Sequence, residues 1–448
     1  MKKHVLLLSL LFANLATADF DQAMQWYEEQ SYDQAYAEFT RLAHIGNHRA
    51  QYNLAVMYLH GQHVDTDLVQ AYAWASLAQD PEHPEFKPII NTLTAQLSAT
   101  ELQAAEQASN ALSSQYGPAA IAQKWAPIEQ QQTTDKTDQT STFDLKIVAR
   151  KPPRYPNAAL LNRVQGWVTV GFYVHPDGTV RQPHVIDAYP PEVFDKATLD
   201  VVQQFKFSLN FKPDAESRPV FARQTIEYSL ENLTNRSELR RLYENRLQKL
   251  KTQAQAGSAQ AQYLFAMAAS SNLMNETAKI SRFEVNDWLF KAATNGHAKA
   301  QYLLGRNMLC GAGTAIDRNK ASNWVVLAAE QGHAGAARLA YDLFRHDSHL
   351  NQTGQPAEYW LKQAALDGDA NAQIAYASHL VEQEPRSTED IELARQLLED
   401  HEGQRKPSVN WYQTSALVYQ AAGEPKKAQK HQKKANKLAK KLGWDLSL

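Results

Sequence analysis

The chain has 448 residues, 44% apolar, 21% charged and 10% aromatic, with 18 Gly and 18 Pro, a globular composition with room for two or three domains. Its 46 Lys and Arg nearly balance 48 Asp and Glu, which argues against a nucleic-acid binder. Cys310 is the only cysteine, so neither an internal disulfide nor a thiolate zinc cage can staple the fold, and helices must hold by packing.

At the start, Lys2 and Lys3 precede an apolar run from Val5 to Leu15 and then Ala16, Thr17 and Ala18. That order reads as an export signal over 1–18, cleaved before Asp19. The run falls short of the roughly 20 residues a membrane crossing needs, and no cysteine follows it to carry a lipid. An uncleaved anchor is the alternative.

Residues 19–129 read as helical repeats. Ala35, Phe39, Ala43, Gly46, Ala50, Gln51, Tyr52, Leu54 and Tyr58 describe two helices joined at a glycine, and Ala71 to Ala78 restart the pattern. Residues 19–142 hold 5 basic and 16 acidic residues, leaving 39 basic against 32 acidic for the rest of the mature chain, so the two parts could attract each other. Gln130 to Thr142 is polar and free of aliphatic residues, a flexible linker.

Periodicity then changes. Val168, Val170, Phe172 and Val174 alternate with Trp167, Thr169, Gly171 and Tyr173, the period of two expected of a strand. Pro176, Asp177 and Gly178 form a turn, and Val180 to Tyr189 returns as the second strand of a hairpin. Pro190 and Pro191 open a helix with Phe194, Ala197, Val201 and Phe205 on one face, and Ala222 to Leu230 is a last strand. The expectation is a β-β-α-β module over 143–233, its helix covering one face of a three-stranded antiparallel sheet.

From about residue 235 to 448 the repeats resume. Trp288, Trp324 and Trp360 are spaced by 36 residues, and Gly296, Gly332 and Gly368 keep the same interval, each glycine eight residues after its tryptophan. Alanine pairs precede each glycine, which suits close helix approach followed by a left-handed stop; Gly257 with Ala261, Gln262 and Tyr263 is an earlier copy. One helix pair cannot bury its own apolar face, so stacking into a solenoid follows. Arg338 departs from the pattern, standing where the copies at Gly46, Gly257 and Gly296 carry Tyr52, Tyr263 and Tyr302. Further helices are expected around Ala394 to Leu398, over Trp411 to Gly423, and over Pro425 to Gly443. The last carries eight lysines and a single acid between Glu424 and Lys441. Its Ala428, Ala435, Leu438, Ala439 and Leu442 form one stripe, with lysines elsewhere around the helix. It reads as a solvated capping helix, or as a contact for acidic lipid or an acidic partner.

Two family resemblances rest on these residues. The alanine-glycine-alanine-glutamine-tyrosine spacing resembles Sel-one-like repeats, relatives of tetratricopeptide repeats, over about two thirds of the mature chain; such arrays hold protein partners together. Tyr155, Pro156, Ala159, Gly166, Val168, Val170, Phe172, Val174, Asp177, Gly178, Val180, Pro190, Phe194, Phe205, Phe207 and Pro213 resemble the C-terminal domain of TonB. That resemblance implies a periplasmic domain of a Gram-negative cell that takes up a short extended segment, for example from a TonB-dependent outer-membrane transporter, as an added strand. The edge it implies is Arg223, Gln224, Thr225, Ile226, Glu227 and Tyr228, with Arg154 and Tyr155 beside it. TonB energy transducers carry a serine and a histidine in an uncleaved N-terminal helix and then a proline-rich spacer; here Ser9 has no histidine after it, and a helical repeat stands in place of the spacer.

Signals for chemistry are few. His44 with His48, His60 with His63, and His346 with His349 are close in sequence, yet no third convergent ligand is identifiable, and they read as exposed imidazoles. Cys310 reads as a small packing residue, since no base is placed near it. No phosphate loop, dinucleotide fingerprint or serine elbow is present, and no cofactor is implied. The sequence therefore describes a multidomain α+β protein, a TonB-like module held between two helical arrays, acting as a non-catalytic periplasmic scaffold. Its sheet captures an extended segment and its arrays hold a second protein. An anchored energy transducer and a cell-wall hydrolase are the competing classes.

Overall fold

Two helices and a tight turn make each repeat. In the computed structural model the C-terminal pairs are Arg282–Thr294 with Ala298–Cys310, Arg318–Glu330 with Ala334–His346, and Ala357–Leu366 with Ala370–Glu382. Gly296, Gly332 and Gly368 connect them at φ 91°, 77° and 93°, the left-handed region that a Cβ disfavours. Arg236–Gln255 with Ala259–Ser270 precedes them, and Tyr32–Ala43 with His48–His60 is the N-terminal copy. The structure describes residues 19–81, 84–129, 146–208, 220–230, 236–270, 280–404 and 407–444. The expected signal peptide, the linker 130–142 and Pro213 lie outside them.

The repeated glutamine has a structural task. Gln51, Gln262 and Gln301 are buried, and each donates its side-chain amide to the carbonyl eight residues earlier, Ala43, Ala254 or Ala293, at 3.0–3.1 Å. Carbonyls at a helix end have no partner within their own helix, so each glutamine closes the first helix of its pair. The second helix is capped by Asn47, His297, His333 or Asp369, whose side chain accepts from the amide three residues on.

The two arrays, separate in sequence, meet directly. Asn47 Nδ2 donates to Asn295 Oδ1 at 2.7 Å and to the Thr294 carbonyl at 3.0 Å, and Asn295 Nδ2 donates onward to Gln262 Oε1 at 2.8 Å. Farther along, the indole N–H of Trp324 donates to the Trp125 carbonyl at 2.8 Å, and Lys320 Nζ reaches the carbonyls of Ala122 and Ala126. Phe39, Leu54, Trp125, Leu304, Trp324 and Trp360 belong to one buried cluster. The central module thus leaves and re-enters a single helical body.

Among the described residues that module has five strands: β1 Lys146–Ala149, β2 Gly166–Val174, β3 Val180–Tyr189, β4 Lys206–Ser208 and β5 Val220–Tyr228. β2 lies between β3 and β5 in an antiparallel sheet, as the sequence pattern predicts, while β1 and β4 form a separate antiparallel pair that three or four partly exposed residues per strand did not announce. Val168, Val170, Phe172 and Val174 of β2 pack with Phe194, Val202, Phe205 and Phe207 on one face. The covering helix is shorter than expected, Asp195–Val202, and its buried residues are Thr198 and Val202; Ala197 and Val201 are only partly buried. Phe194 and Phe205 flank it, fully buried.

The opposite face meets the repeats. Trp167 and Ile186 are 3% and 8% exposed and belong to the helical body's core cluster rather than to the module's own. Along β3, Tyr189 packs at the Leu247 and Phe265 cluster, His184 Nε2 lies 2.9 Å from Arg338 Nη2, and the Gln182 carbonyl accepts from Asn371 at 3.5 Å. Lys206 Nζ donates to the Leu442 carbonyl at 2.8 Å, and the Arg181 guanidinium lies over the Trp444 ring. The second helices of successive repeats therefore carry the module from Ala259–Ser270 to the chain's last helix.

Candidate functional site

A three-stranded sheet has two rims, and here they differ. β3 carries Pro183, which offers no backbone donor, and Gln182 at φ 51°, and its register with β2 shifts twice; both are marks of a strand that cannot template another. The repeats also meet it at His184 and Tyr189, while Val180, Gln182 and Pro183 line a cleft. β5 pairs with β2 over nine residues without a shift and is the terminal strand of its sheet among the described residues.

The residues expected at this rim separate into two groups. Arg223, Thr225 and Glu227 are exposed, with Gln224 and Ile226 half-buried between them. Thr225 and Thr169 share a hydroxyl–hydroxyl bond of 2.8 Å across the sheet, and the Gln224 side-chain amide donates to the Thr225 carbonyl at 2.9 Å. Arg223 Nη1 approaches Cys310 Sγ at 3.8 Å. Tyr228, by contrast, is 3% exposed, and its hydroxyl bonds Thr198 at 2.8 Å. Burial pushes its phenol upward, so the ring is a core residue.

Tyr155 sits against the end of β5 as a second core aromatic. Its ring stands edge-on to Phe194 and Tyr228, each at 5.6 Å, and its hydroxyl donates to the Val164 carbonyl at 2.7 Å. Burial pushes its pKa up to about 12. Arg154 is exposed beside it. The exposed part of this rim is thus Arg223 to Glu227, with Arg223, Thr225 and Glu227 outward, and the two tyrosines pack at its end.

What fixes the rim's orientation escaped the sequence pattern. Arg338, a residue that breaks the repeat spelling, lies mostly buried between Asp342 Oδ2 at 3.3 Å and Asp369 Oδ2 at 3.4 Å and reaches His184 on β3. Burial alone would depress its guanidinium, but Asp369 and Asp342 hold it above its ordinary value. Because Nε2 of His184 faces a donor, its Nδ1 carries the proton toward the Gln182 carbonyl at 3.1 Å.

The remaining candidates resolve differently. Cys310 is exposed, not a packing residue, because it closes its helix beside Gly311 where the helical body ends and β5 begins. His44 is not an exposed imidazole either: it is half-buried and stacks on Tyr116 at 4.1 Å, with burial lowering its pKa. His48 lies 4.0 Å from Asp80, and His60, His63, His346 and His349 are exposed. Among the described residues no group of three His, Cys, Asp or Glu side chains is placed to hold a metal, and no helix is long and apolar enough to cross a membrane. A cleft of about 1540 Å³ separates the helix Asp195–Val202 from the last repeats, with Leu199, Phe205, Ile374 and Leu438 among its walls.

Residues 151–230 match the family described as Gram-negative bacterial TonB protein C-terminal, and residues 11–29, 48–78, 298–333 and 355–369 match the Sel1 repeat. A solved Sel1 repeat protein from Oxalobacter formigenes is 24% identical, with a TM-score of 0.36 over 45% of this chain and 82% of that one. A protective antigen present in uropathogenic Escherichia coli strains, described as displaying an SLR fold, is 14% identical, with a TM-score of 0.34 over 95% of this chain and 72% of that one. No curated protein matches the chain. The chain combines a domain of the TonB C-terminal type with flanking Sel1 repeats, two kinds of non-catalytic interaction module, and so has the character of a protein-interaction scaffold.

Proposed function

We propose that the protein is a periplasmic scaffold whose central domain takes up an extended segment of an envelope protein by strand addition at β5, while the helical body holds a second protein on surfaces the domain leaves open. The observation that carries this reading is the nine-residue unshifted register of β5 with β2 and the lack of a strand on its other side among the described residues. Unpaired backbone groups on a regular strand are a template for another strand, and affinity then comes mainly from main-chain bonds. Exposed Arg223 and Glu227, four residues apart on the same face, favour a guest with opposite charges at the facing positions.

Photo-crosslinking in periplasm tests this. A crosslinker at Glu227 is expected to trap an extended segment, whereas one at Gln182 on β3 traps none. Thr225→Pro, which removes a backbone donor from β5, abolishes the Glu227 product. Equal products from both rims, or a Glu227 product that survives Thr225→Pro in a folded protein, overturn the reading.

A further inference from the structure

The last helix, Pro425–Leu442, carries a surface that the sheet does not use. Ala428, Ala435 and Ala439 are 7%, 0% and 2% exposed, and Ala435 and Ala439 pack in a cluster with Val409 and Tyr412. Lys426, Lys427, Lys430, Lys433, Lys434, Lys437, Lys440 and Lys441 are all exposed. At about 100° per residue these eight lysines fall within roughly 140° of arc, directly opposite the alanine stripe, and no other residue of the helix lies in that arc. They are therefore one face and not a scatter around the helix, about 23 Å long from Lys426 to Lys441 at about 1.5 Å per residue. Among the described residues only Lys427 of the eight is ion-paired, to Glu424. The adjoining helix Val409–Ala421 contains no charged residue.

We propose that this lysine face is a docking surface for an anionic lipid membrane. The charge is of one sign and set on a straight line, no apolar side chain lies within the lysine arc to recognise a shaped partner, and of the eight lysines Lys441 borders the cleft. A fluid sheet of anionic headgroups conforms to such a row, each lysine near the surface strengthening binding about fivefold. The apolar stripe is already spent on the helical body, so the helix lies on the headgroups without inserting, and the attachment is electrostatic and sensitive to salt. The strand-binding rim is not involved.

Co-sedimentation of the full chain with vesicles decides the matter. Binding is expected to phosphatidylcholine vesicles containing about one third phosphatidylglycerol and not to phosphatidylcholine alone, with release near 1 M salt, where the screening length falls to about 3 Å. The combined change Lys430→Ala, Lys433→Ala, Lys434→Ala and Lys437→Ala is expected to weaken binding more than about a hundredfold. The same four positions changed to Arg keep it, which separates charge from folding. The proposal fails if anionic vesicles do not bind the protein, if neutral vesicles bind it equally, or if the alanine variant binds like the parent. It also fails if soluble polyglutamate is bound while the vesicles are not, which would make the partner an acidic protein.

Discussion

The claim that both arrays share one core can be tested with two tryptophans that occupy equivalent repeat positions. Trp324 is fully buried, packs at 4.8 Å from Trp125 and donates its indole N–H to the Trp125 carbonyl. Trp360 is 2% exposed, but its indole N–H finds no partner among the described residues. Replacing either with Phe removes a similar volume, so the packing loss largely cancels between them. Only Trp324→Phe also strands a buried carbonyl, at a cost of about 1–3 kcal/mol, whereas Trp360→Phe removes an N–H that was unsatisfied already. Urea unfolding followed by far-ultraviolet circular dichroism should place Trp324→Phe about 1–3 kcal/mol below Trp360→Phe. Limited proteolysis should show the extra loss near Pro118–Lys124, in the N-terminal array and far from Trp324 in sequence. Equal losses in the two variants, or an N-terminal array whose protease protection is unchanged in Trp324→Phe, would refute the shared core.

Two other perturbations bear on the same body. His297 and His333 cap successive second helices, and burial, helped by Lys299, pushes both imidazoles down to about 4. The unfolded chain binds protons from about pH 6.5 downward while the folded one does not, so their contribution is complete above that pH and is lost as pH falls toward 4, by roughly 3 kcal/mol each. The double change His297→Asn and His333→Asn keeps a capping acceptor at both helices, as Asn47 provides at its own. The urea midpoint should then fall less between pH 7 and pH 4 than in the parent; parallel curves would contradict this. Arg338→Met removes the cation that Asp342, Asp369 and His184 share, a loss of about 1–3 kcal/mol because Asp342 is a third exposed and keeps Arg345 nearby. Hydrogen exchange should quicken along β3 and change little in β5, and unaltered exchange in β3 would show that Arg338 does not hold the domain.

Much of this architecture is legible in the sequence because two periods never overlap. The interval of 36 between tryptophans and the alternation from Trp167 to Val174 each state a packing requirement that only one kind of element satisfies. The missing pieces are of another sort. β1 and β4 are too short for alternation to register, so only their pairing reveals them. The burial of Thr198 in place of Ala197 follows from its hydroxyl bonding Tyr228, a tertiary partner that no helical pattern encodes. Arg338 was visible as a departure from the repeat, but its reason lies on β3, far earlier in the chain. Pro183 was also in plain view; a proline in a strand already says which rim of the sheet is closed.

The open rim follows from the way the domain is inserted. A free three-stranded sheet would offer both edges and one whole face, and a bare face around Trp167 and Ile186 would be prone to indiscriminate association. Setting that face on the second helices takes Trp167 and Ile186 out of solvent, and the same contact engages β3, since Tyr189, His184 and the Gln182 carbonyl all meet the repeats. β5 escapes because β2 lies between it and β3, so the helices that grip β3 cannot reach along it; the contact of its exposed side chains with the helical body is that of Arg223 at Cys310. On the proposed reading, the repeats act on recognition without contacting the added strand. They leave one rim, give it a fixed direction, and make the strength of the Arg338 cluster a determinant of how rigidly that rim is presented.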